Sequence, residues 1–242
     1  MVNVEITRDY PISCKCNLSR EMKDVVIACH GFMGAKDIPM FDLLSDGLKE
    51  KGFICFDFPG HGMSQVSGEK LTLENCLNDI SAVYQHVRTA APNADISVFG
   101  TSMGADLILM WRSEQKYDIK KIVCKSAAID LRNVLENIIG IKMDEFKETC
   151  KLVVGHNRKI QVPYEFYDDI IKRDICQEFN PGKTNYLFIH GVEDRKTPIS
   201  NAKKFCNMFN LNLIEINGAE HSFNKVGELE RVVKLAIDFY KN

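Results

Sequence analysis

Short apolar runs alternate with amphipathic segments along most of this chain, which is the pattern of an α/β protein. Residues 2–8 alternate apolar and polar positions and predict a half-buried strand, whereas 24–29 is continuously apolar, as in a strand covered on both faces. Further strands are predicted at 12–18, 53–58, 96–99, 119–124, 186–189 and 211–216. Helices are predicted at 37–51, 73–89, 200–210 and 227–240, and another follows Gly104 and runs through Trp111. This order implies an α/β fold with a mostly parallel central sheet of about eight strands flanked by helices.

The alternation of strands and helices fails between about residues 127 and 183. Helical fragments are predicted there at 131–139, 144–153 and 164–176, separated by Gly and Pro residues. A long excursion inside an α/β chain usually has a function, such as a cap or lid over a site. We therefore expect a core built from 1–126 and 184–242 and a small helical cap at 127–183, inserted after the sixth strand.

The composition excludes several classes of protein. The 242 residues suit one large domain, and the formal net charge of -2 leaves no basic surface for nucleic acid or an anionic membrane. We interpret the most basic local cluster, Lys116 to Lys125, as solvated residues at the edge of a strand. The sequence does not indicate an oligomeric state.

The cysteines and the first residues indicate where the protein resides. Nine cysteines is an odd number, and several lie inside apolar runs, which favours free thiols in a reducing compartment. No further ligand lies near Cys14 and Cys16, so no metal is expected. The first residues lack the apolar region of a signal peptide, and no run approaches the ~20 apolar residues of a membrane span. We therefore expect a cytoplasmic protein.

One strand leads into the pattern Gly-Thr-Ser-Met-Gly at 100–104, and a helix follows it. This strand–turn–helix context is required for a nucleophile elbow, in which a sharp turn exposes a reactive serine. The N-terminus of the following helix favours developing negative charge. Ser102 is therefore the candidate nucleophile, and an incidental serine in a glycine-containing loop is the alternative.

Other chemically useful residues also follow predicted strands. In open α/β sheets the site lies beyond the carboxyl ends of the strands, and Asp194 and His221 both lie there. A serine hydroxyl needs an imidazole to take its proton, and the imidazole needs a carboxylate to orient it. We assign Ser102 as nucleophile, His221 as general base and then acid, and Asp194 as the orienting carboxylate. Glu193 and Asp130 remain alternatives for the acid.

Two backbone N–H groups are expected to bind the oxyanion of the tetrahedral intermediate. One belongs to Met103, directly after the nucleophile, and the other to Phe32, in the loop after the third strand.

Taken together, these motifs resemble the α/β-hydrolase superfamily. The resemblance covers nearly all of the chain outside 127–183 and is carried by the following segments: His30-Gly31, Asp57 to Ser64, the elbow at Ser102, His190 to Asp194 with Pro198 beyond, and Gly218 to Phe223. Within the superfamily, the chain is similar to small bacterial carboxylesterases, either cinnamoyl or feruloyl esterase-like or monoacylglycerol lipase-like. The resemblance implies a serine hydrolase that cleaves a small-molecule carboxylic ester and needs no metal or organic cofactor.

Some residues depart from the family pattern or leave its consequences open. Many relatives have a small residue where this chain has Asp106, which either raises the pKa of His221 or faces solvent. Tyr164, Phe166 and Tyr167 are candidates for lining the substrate pocket, with an ordinary cap core as the alternative, and His30 is a candidate beside the pocket. A thioesterase or peptidase of the same fold is the alternative activity. A non-catalytic binding protein is disfavoured because serine, acid and histidine are all present.

Overall fold

The computed structural model of the protein describes residues 1–114, 117–155 and 159–242. Its strands are β1 (Val2–Thr7), β2 (Pro11–Asn17), β3 (Asp24–Cys29), β4 (Gly52–Phe56), β5 (Asp95–Thr101), β6 (Lys121–Lys125), β7 (Lys151–Val154), β8 (Ile160–Pro163), β9 (Asn185–Gly191) and β10 (Asn212–Ile216). Its α-helices are α1 (Pro39–Gly47), α2 (Leu73–Ala90), α3 (Met103–Glu114), α4 (Leu131–Ile139), α5 (Met143–Thr149), α6 (Tyr164–Ile171), α7 (Ile175–Glu178), α8 (Ile199–Phe209) and α9 (Glu228–Lys241). Short 3-10 helices lie at Gly68–Lys70 and Gly140–Lys142.

In the part of the chain described, eight strands form one sheet in the order β1-β2-β4-β3-β5-β6-β9-β10. β1 pairs with β2, and β2 with β4, in antiparallel fashion, whereas every pair from β4 to β10 is parallel. The predicted fold class, a mostly parallel eight-stranded sheet flanked by helices, is confirmed. Because the six strands from β4 to β10 run in one direction, their carboxyl ends meet at one edge, and the loops that follow them lie side by side.

Two apolar layers cover the faces of this sheet. Side chains of a strand alternate between faces, so Val25 and Ile27 of β3 join one layer while Val26 and Ala28 join the other. The first layer includes residues of α2, α3 and α8, and the second includes residues of α1 and α9. The residues of β3 after Asp24 are therefore all apolar because both faces of the strand are covered.

The segment between β6 and β9 differs from its sequence prediction in detail. The helix predicted at 144–153 ends at Thr149, and Cys150 adopts a left-handed conformation with φ of 56°. β7 then begins and pairs with β8 as an antiparallel hairpin, which the periodicity had not indicated. The helix predicted at 164–176 ends at Ile171, and α7 is separate from it. The division of the chain into a core and a cap at 127–183 stays a prediction.

The hairpin and its neighbouring helices pack on each other and on the core. Phe146 of α5 and Phe166 of α6 are fully buried, and the Phe146 ring lies 5.2 Å from that of Tyr164. The hairpin contacts the 3-10 helix at Gly68–Lys70 so closely that a Cβ on Gly68 would lie 2.1 Å from the Gln161 carbonyl oxygen. The buried apolar side chains of the excursion thus belong to the same layer as those of α2 and α3, and the hairpin packs directly on a glycine of the core.

Candidate active site

The turn between β5 and α3 holds Ser102 in a conformation that few residues adopt. Its φ is 54°, in the left-handed region, and its N–H donates to the Lys125 carbonyl at 2.9 Å. The turn also brings the start of α3 against the loop after β3, because a Cβ on Gly104 would lie 2.4 Å from the His30 carbonyl oxygen. A Cβ on Gly100 would lie 2.5 Å from Ile108 Cδ1. Both glycines are therefore required by close packing, and the tight turn leaves the Ser102 hydroxyl at the sheet edge.

Ser102, His221 and Asp194 form a continuous chain of hydrogen bonds. His221 Nε2 lies 3.1 Å from Ser102 Oγ, and His221 Nδ1 lies 2.8 Å from Asp194 Oδ2. A carboxylate can only accept, so Nδ1 carries the proton of the neutral imidazole and Nε2 presents its lone pair to the serine hydroxyl. This arrangement has the geometry that a general base beside a nucleophile needs.

The loop after β9 fixes the Asp194 carboxylate. Lys196 N–H and Thr197 N–H both donate to Oδ1 at 2.9 Å, and the Thr197 hydroxyl donates to Oδ2 at 2.7 Å. His190 Nε2 donates to the Thr197 carbonyl at 2.7 Å and also lies 3.2 Å from Asp194 Oδ2. Sequence reasoning missed Thr197, although an Asp followed by a Thr three residues later is the pattern of such a local turn.

The other two acids considered from the sequence lie elsewhere. Glu193 is exposed, and Asp130 is exposed at the start of α4, where its carboxylate accepts the Asn133 N–H at 3.2 Å. The structure therefore places Asp194, and neither alternative, against the imidazole.

The environment holds both partners in the charge states that proton transfer from serine requires. Burial opposes ionisation of Asp194, but hydrogen bonds from His190, His221 and Thr197 outweigh it and hold the pKa of this carboxyl well below its usual range. Burial lowers the pKa of His221, and the attraction of Asp194 offsets only part of that effect. At neutral pH the carboxylate is ionised and the imidazole is neutral.

A buried lysine and the serine that follows it bind the backbone carbonyl of His221. Lys125 ends β6, is 5% exposed, and donates from Nζ to the His221 carbonyl at 2.6 Å, while Ser126 Oγ donates to the same oxygen at 3.0 Å. The interpretation of Lys116 to Lys125 as solvated residues is therefore wrong for Lys125, because the end of β6 is covered by the loop that carries His221. Lys116 lies outside the described residues. The signal that would have found Lys125 is its position directly after a buried strand at the functional edge.

The loop after β3 brings the second expected oxyanion donor next to the nucleophile. A Cβ on Gly31 would lie 2.9 Å from Ser102 Cβ, so the backbone leading into Phe32 runs directly past the serine. Met103 is the first residue of α3, and the first N–H groups of a helix have no acceptor within it. Asp57 holds the far end of this loop, because its carboxylate accepts the Lys36 N–H at 2.6 Å.

A cavity of about 1050 Å³ opens over Ser102 and His221. Part of its wall is apolar and comes from the loop after β3, the start of α1, and the segment between β6 and β9. Those apolar residues are Phe32, Met33, Ile38, Pro39, Met40, Val134, Ile138 and Val154, and Leu229 of α9 joins them. The charged residues of the described lining, apart from His221, are Lys125, Arg195 and Lys196.

Comparison with protein families identifies the chain. A sequence model of the family described as serine aminopeptidase, S33, matches residues 20–168, which is more than half of the chain. The protein belongs to this S33 family. No curated protein sequence matches it. Among the described helices, none is both long enough and apolar enough to cross a membrane.

Solved structures share the fold of this S33 family member along almost their whole length. Est1E from Butyrivibrio proteoclasticus, solved with ferulic acid bound, has a TM-score of 0.83 at 20% identity, with 98% of this chain and 97% of that chain covered. Mouse alpha/beta hydrolase domain-containing protein 10 has a TM-score of 0.79 at 13% identity, with coverage of 100% and 99%. A monoacylglycerol lipase from Paleococcus ferrophilus has a TM-score of 0.68 at 17% identity, with coverage of 94% and 97%. These likenesses confirm the α/β-hydrolase fold.

The four residues expected beside the substrate are not among those that line the cavity of this S33 family member. His30 is fully buried, with Nδ1 donating to the Gly31 carbonyl at 2.8 Å and Nε2 accepting the Phe58 N–H at 3.1 Å. Phe166 and Tyr167 are buried inside the segment between β6 and β9, and the Tyr167 hydroxyl donates to Glu136 at 2.8 Å. The cap-core alternative therefore describes the aromatic residues, including Tyr164 against Phe146.

Asp106 fits neither of the two roles considered for it. It is fully buried on α3, and neither carboxylate oxygen has a hydrogen-bond partner among the described residues. Burial raises its pKa well above the usual range, and the nearby Asp130 carboxylate adds to that effect. A separate cavity of about 440 Å³ adjoins it, lined mainly by residues of the segment between β6 and β9. The groups that shift the pKa of His221 are Asp194, Lys125 and Lys196, and Asp106 is not among them.

The described residues show no arrangement for a metal ion. Within 1–114, 117–155 and 159–242, no group of three or more His, Cys, Asp or Glu side chains is placed to hold one. The nine cysteines are free thiols, seven of them buried.

Proposed function

We propose that the protein is a serine hydrolase that cleaves a carboxylic ester through an acyl-enzyme intermediate. The observation that carries this proposal is the chain of hydrogen bonds from Ser102 Oγ through His221 to Asp194, at 3.1 and 2.8 Å. It opens into a cavity of about 1050 Å³, which is large enough for a small-molecule ester.

In the first step His221 Nε2 takes the proton of Ser102 as Oγ attacks the ester carbonyl carbon. The imidazolium that forms is stabilised by Asp194, and it then gives its proton to the departing alkoxide. Water repeats the sequence on the acyl-enzyme: His221 takes a proton from the water, and Ser102 leaves with that proton. The carboxylic acid product is released and the neutral imidazole is restored.

The oxyanion of both tetrahedral intermediates would be held by the backbone N–H groups of Phe32 and Met103. Such donors act on charge that develops in the transition state, and the loss of one typically costs about 3 kcal/mol of stabilisation. The positive end of α3 adds to their effect because Met103 is its first residue.

A fluorophosphonate probe tests the reactive serine directly. We expect the wild type to be labelled, Ser102→Ala to be unlabelled, and Ser200→Ala, which removes an exposed serine away from the cavity, to be labelled as the wild type. Labelling that persists in Ser102→Ala, or no labelling of the wild type, would refute the proposal. The second result would favour a non-catalytic binding protein.

The family description raises peptide hydrolysis as the alternative. An aminopeptidase has to recognise a protonated α-amine, for which a carboxylate is the natural partner, and the described lining of this cavity includes no Asp or Glu. A thioesterase uses the same machinery as an esterase. Assays of an aminoacyl anilide and an acyl-CoA beside 4-nitrophenyl esters would separate these activities, and we expect the 4-nitrophenyl esters to be cleaved fastest.

A further inference from the structure

Positive charge is concentrated at the cavity, although the chain as a whole is slightly acidic. The formal net charge is -2, yet Lys125, Arg195 and Lys196 all line the cavity and no acidic side chain does so among the described residues. A cavity with walls of one sign attracts ligands of the opposite sign and raises their local concentration. This imbalance is a property of the site and cannot be read from the overall charge.

Lys125 is built into the site, unlike an ordinary surface lysine. Its side chain is buried, its Nζ lies 4.8 Å from the centre of the Phe223 ring, and one of its three N–H donors is used by the His221 carbonyl. Burial lowers the pKa of Lys125 to about 8, and the attraction of Asp194 opposes that shift, so the ammonium remains charged at neutral pH. A desolvated cation therefore lines the cavity, and the His221 carbonyl holds it in place.

Arg195 and Lys196 extend the positive wall outward from the acid loop. Both are exposed, and neither forms an ion pair within 4.0 Å among the described residues, although Arg195 also borders a pocket that contains Glu193 and Glu220. The charge of Lys196 reaches both Lys125 and His221, because it lowers the pKa of each. All three cations line the same cavity.

We propose that the substrate is an amphipathic ester that carries a carboxylate or a phosphate group. Its anionic group faces Lys125, Arg195 and Lys196, and its apolar part lies against the wall formed by Phe32, Ile38 and Ile138. The proposal rests on the proposed function for its reaction, but the recognition of the anion depends only on the cavity.

Matched pairs of esters test the charge preference. Mono-4-nitrophenyl suberate carries a free carboxylate, and its methyl ester is the neutral counterpart with the same chain. We expect kcat/KM to be about tenfold or more higher for the anionic ester at low salt. The advantage should fall when the salt concentration rises from about 10 to 150 mM, because the Debye length shortens from about 30 to 8 Å.

A second arm separates the two sources of negative charge. The 4-nitrophenyl ester of 7-phosphonoheptanoic acid has the same chain length and a phosphonate in place of the carboxylate. A larger kcat/KM for this ester would assign a phosphate-bearing substrate, and a larger value for the suberate would assign a carboxylate-bearing one. On the leaving-group side, 4-acetoxybenzoate and its methyl ester form the corresponding pair.

Variants show whether the cations cause the preference. Arg195→Gln combined with Lys196→Gln should lower the ratio of the anionic to the neutral kcat/KM by about tenfold, because two unpaired charges are removed from the wall. Lys49→Gln removes an exposed charge that does not line this cavity and should leave the ratio as in the wild type. Lys125 is left unchanged in this test because it also holds the His221 loop.

The outcomes separate this proposal from the proposed esterase activity. Ser102-dependent cleavage with equal kcat/KM for the anionic and neutral esters would overturn the charge preference and leave the esterase proposal standing. If no ester is cleaved, calorimetry with Ser102→Ala decides the matter. Tighter binding of the suberate than of its methyl ester, lost in the Arg195→Gln and Lys196→Gln variant, would support the preference, and equal binding would refute it.

Discussion

The carboxyl edge of the sheet and the segment between β6 and β9 are joined at one cavity but are built on different principles. At the edge, Ser102, Asp194 and His221 come from loops far apart in sequence and meet within hydrogen-bond distance. In the segment between β6 and β9, apolar residues of one short stretch of chain have different environments: Phe166 is fully buried, whereas Ile138 lines the cavity. The edge therefore sets the distances between the three polar side chains, whereas the segment contributes part of the apolar wall of the cavity.

The difference follows from how each region is held. Parallel strands carry their loops to one edge whatever the distance along the chain, so the order of strands is enough to bring the three residues together. The segment between β6 and β9 contributes no strand to the main sheet. Whether one of its side chains is buried or lines the cavity depends on how the hairpin and the short helices pack. Substitutions should therefore act on chemistry at the edge and on stability or substrate preference in the segment.

The largest effect is expected for Asp194→Asn at the edge. The asparagine amide can donate to His221 Nδ1, which favours the tautomer that carries its proton on Nε2. That tautomer cannot take the proton of Ser102, so kcat should fall about 10⁴-fold. Hydrolysis of a 4-nitrophenyl ester by purified protein measures this loss, with circular dichroism to show that the fold is kept.

The two other acids serve as matched controls for Asp194. Glu193→Gln and Asp130→Asn should each retain kcat within a few-fold of the wild type, because neither side chain is placed against His221. A loss in Asp130→Asn as large as that in Asp194→Asn would move the catalytic acid out of the edge and into the segment between β6 and β9.

In the segment, the second largest effect is expected for Phe166→Ala. The ring is fully buried and is not among the residues that line the cavity, so its removal should cost about 3–5 kcal/mol in the free energy of unfolding. Urea unfolding measures the loss, and Val153→Ala, which shortens a half-exposed side chain of β7, should change stability by about 0.5 kcal/mol or less. A changed preference among ester chain lengths in folded Phe166→Ala would show that this ring does contact substrate.

How much could be predicted from sequence differs between the regions for the same physical reason. The elbow at Ser102 and the residues after β9 and β10 are local patterns, and the parallel sheet turns such patterns into positions. Cys150 ends a helix by adopting a left-handed conformation that its residue type does not signal, so the hairpin of β7 and β8 was missed. The aromatic residues of α6 were expected beside substrate because periodicity shows that a helix has an apolar face and does not show what that face meets.

Even at the edge, the sequence indicated which residues lie there but did not indicate whether their side chains are buried. Lys125 and Asp106 were both read as solvent-accessible in at least one interpretation, and both are buried. Their burial comes from elements distant in sequence: the His221 loop covers Lys125, and the segment between β6 and β9 covers Asp106. Burial by elements that are distant in sequence produces no local pattern from which it could be predicted.

Asp106 gives a third prediction, at the contact between the two regions. In the folded protein its raised pKa keeps the carboxyl protonated at a pH where the unfolded chain has already released the proton. The folded state then binds more protons than the unfolded state, so this group makes stability fall as pH rises, by about 1.4 kcal/mol per pH unit in that window. Asp106→Asn cannot titrate and should lose this slope.

Urea unfolding of the wild type and Asp106→Asn at pH 5, 6 and 7 measures the effect. The wild type should lose about 1.4 kcal/mol of unfolding free energy relative to Asp106→Asn with each pH unit for as long as the carboxyl stays protonated in the folded state. Asp106→Ala should show the same shift from a different starting value, because it also removes the titration but leaves a small void. A difference that stays constant over this range would mean that the buried carboxyl is already ionised at pH 5.

The smallest effect is expected at the cavity wall, for Ile138→Ala. Ile138 is 42% exposed on α4 and lines the cavity, so an apolar substrate would cover it. Losing about half of the contact of three carbon atoms costs about 1 kcal/mol, or a roughly fivefold rise in KM for a neutral medium-chain 4-nitrophenyl ester. The value of kcat should change little, because the contact is the same in the ground state and the transition state.

Ile141→Ala is the matched control, since Ile141 is fully exposed and does not line the cavity. A fall in kcat with unchanged KM in Ile138→Ala would place this part of the segment among the groups that act on the reacting atoms.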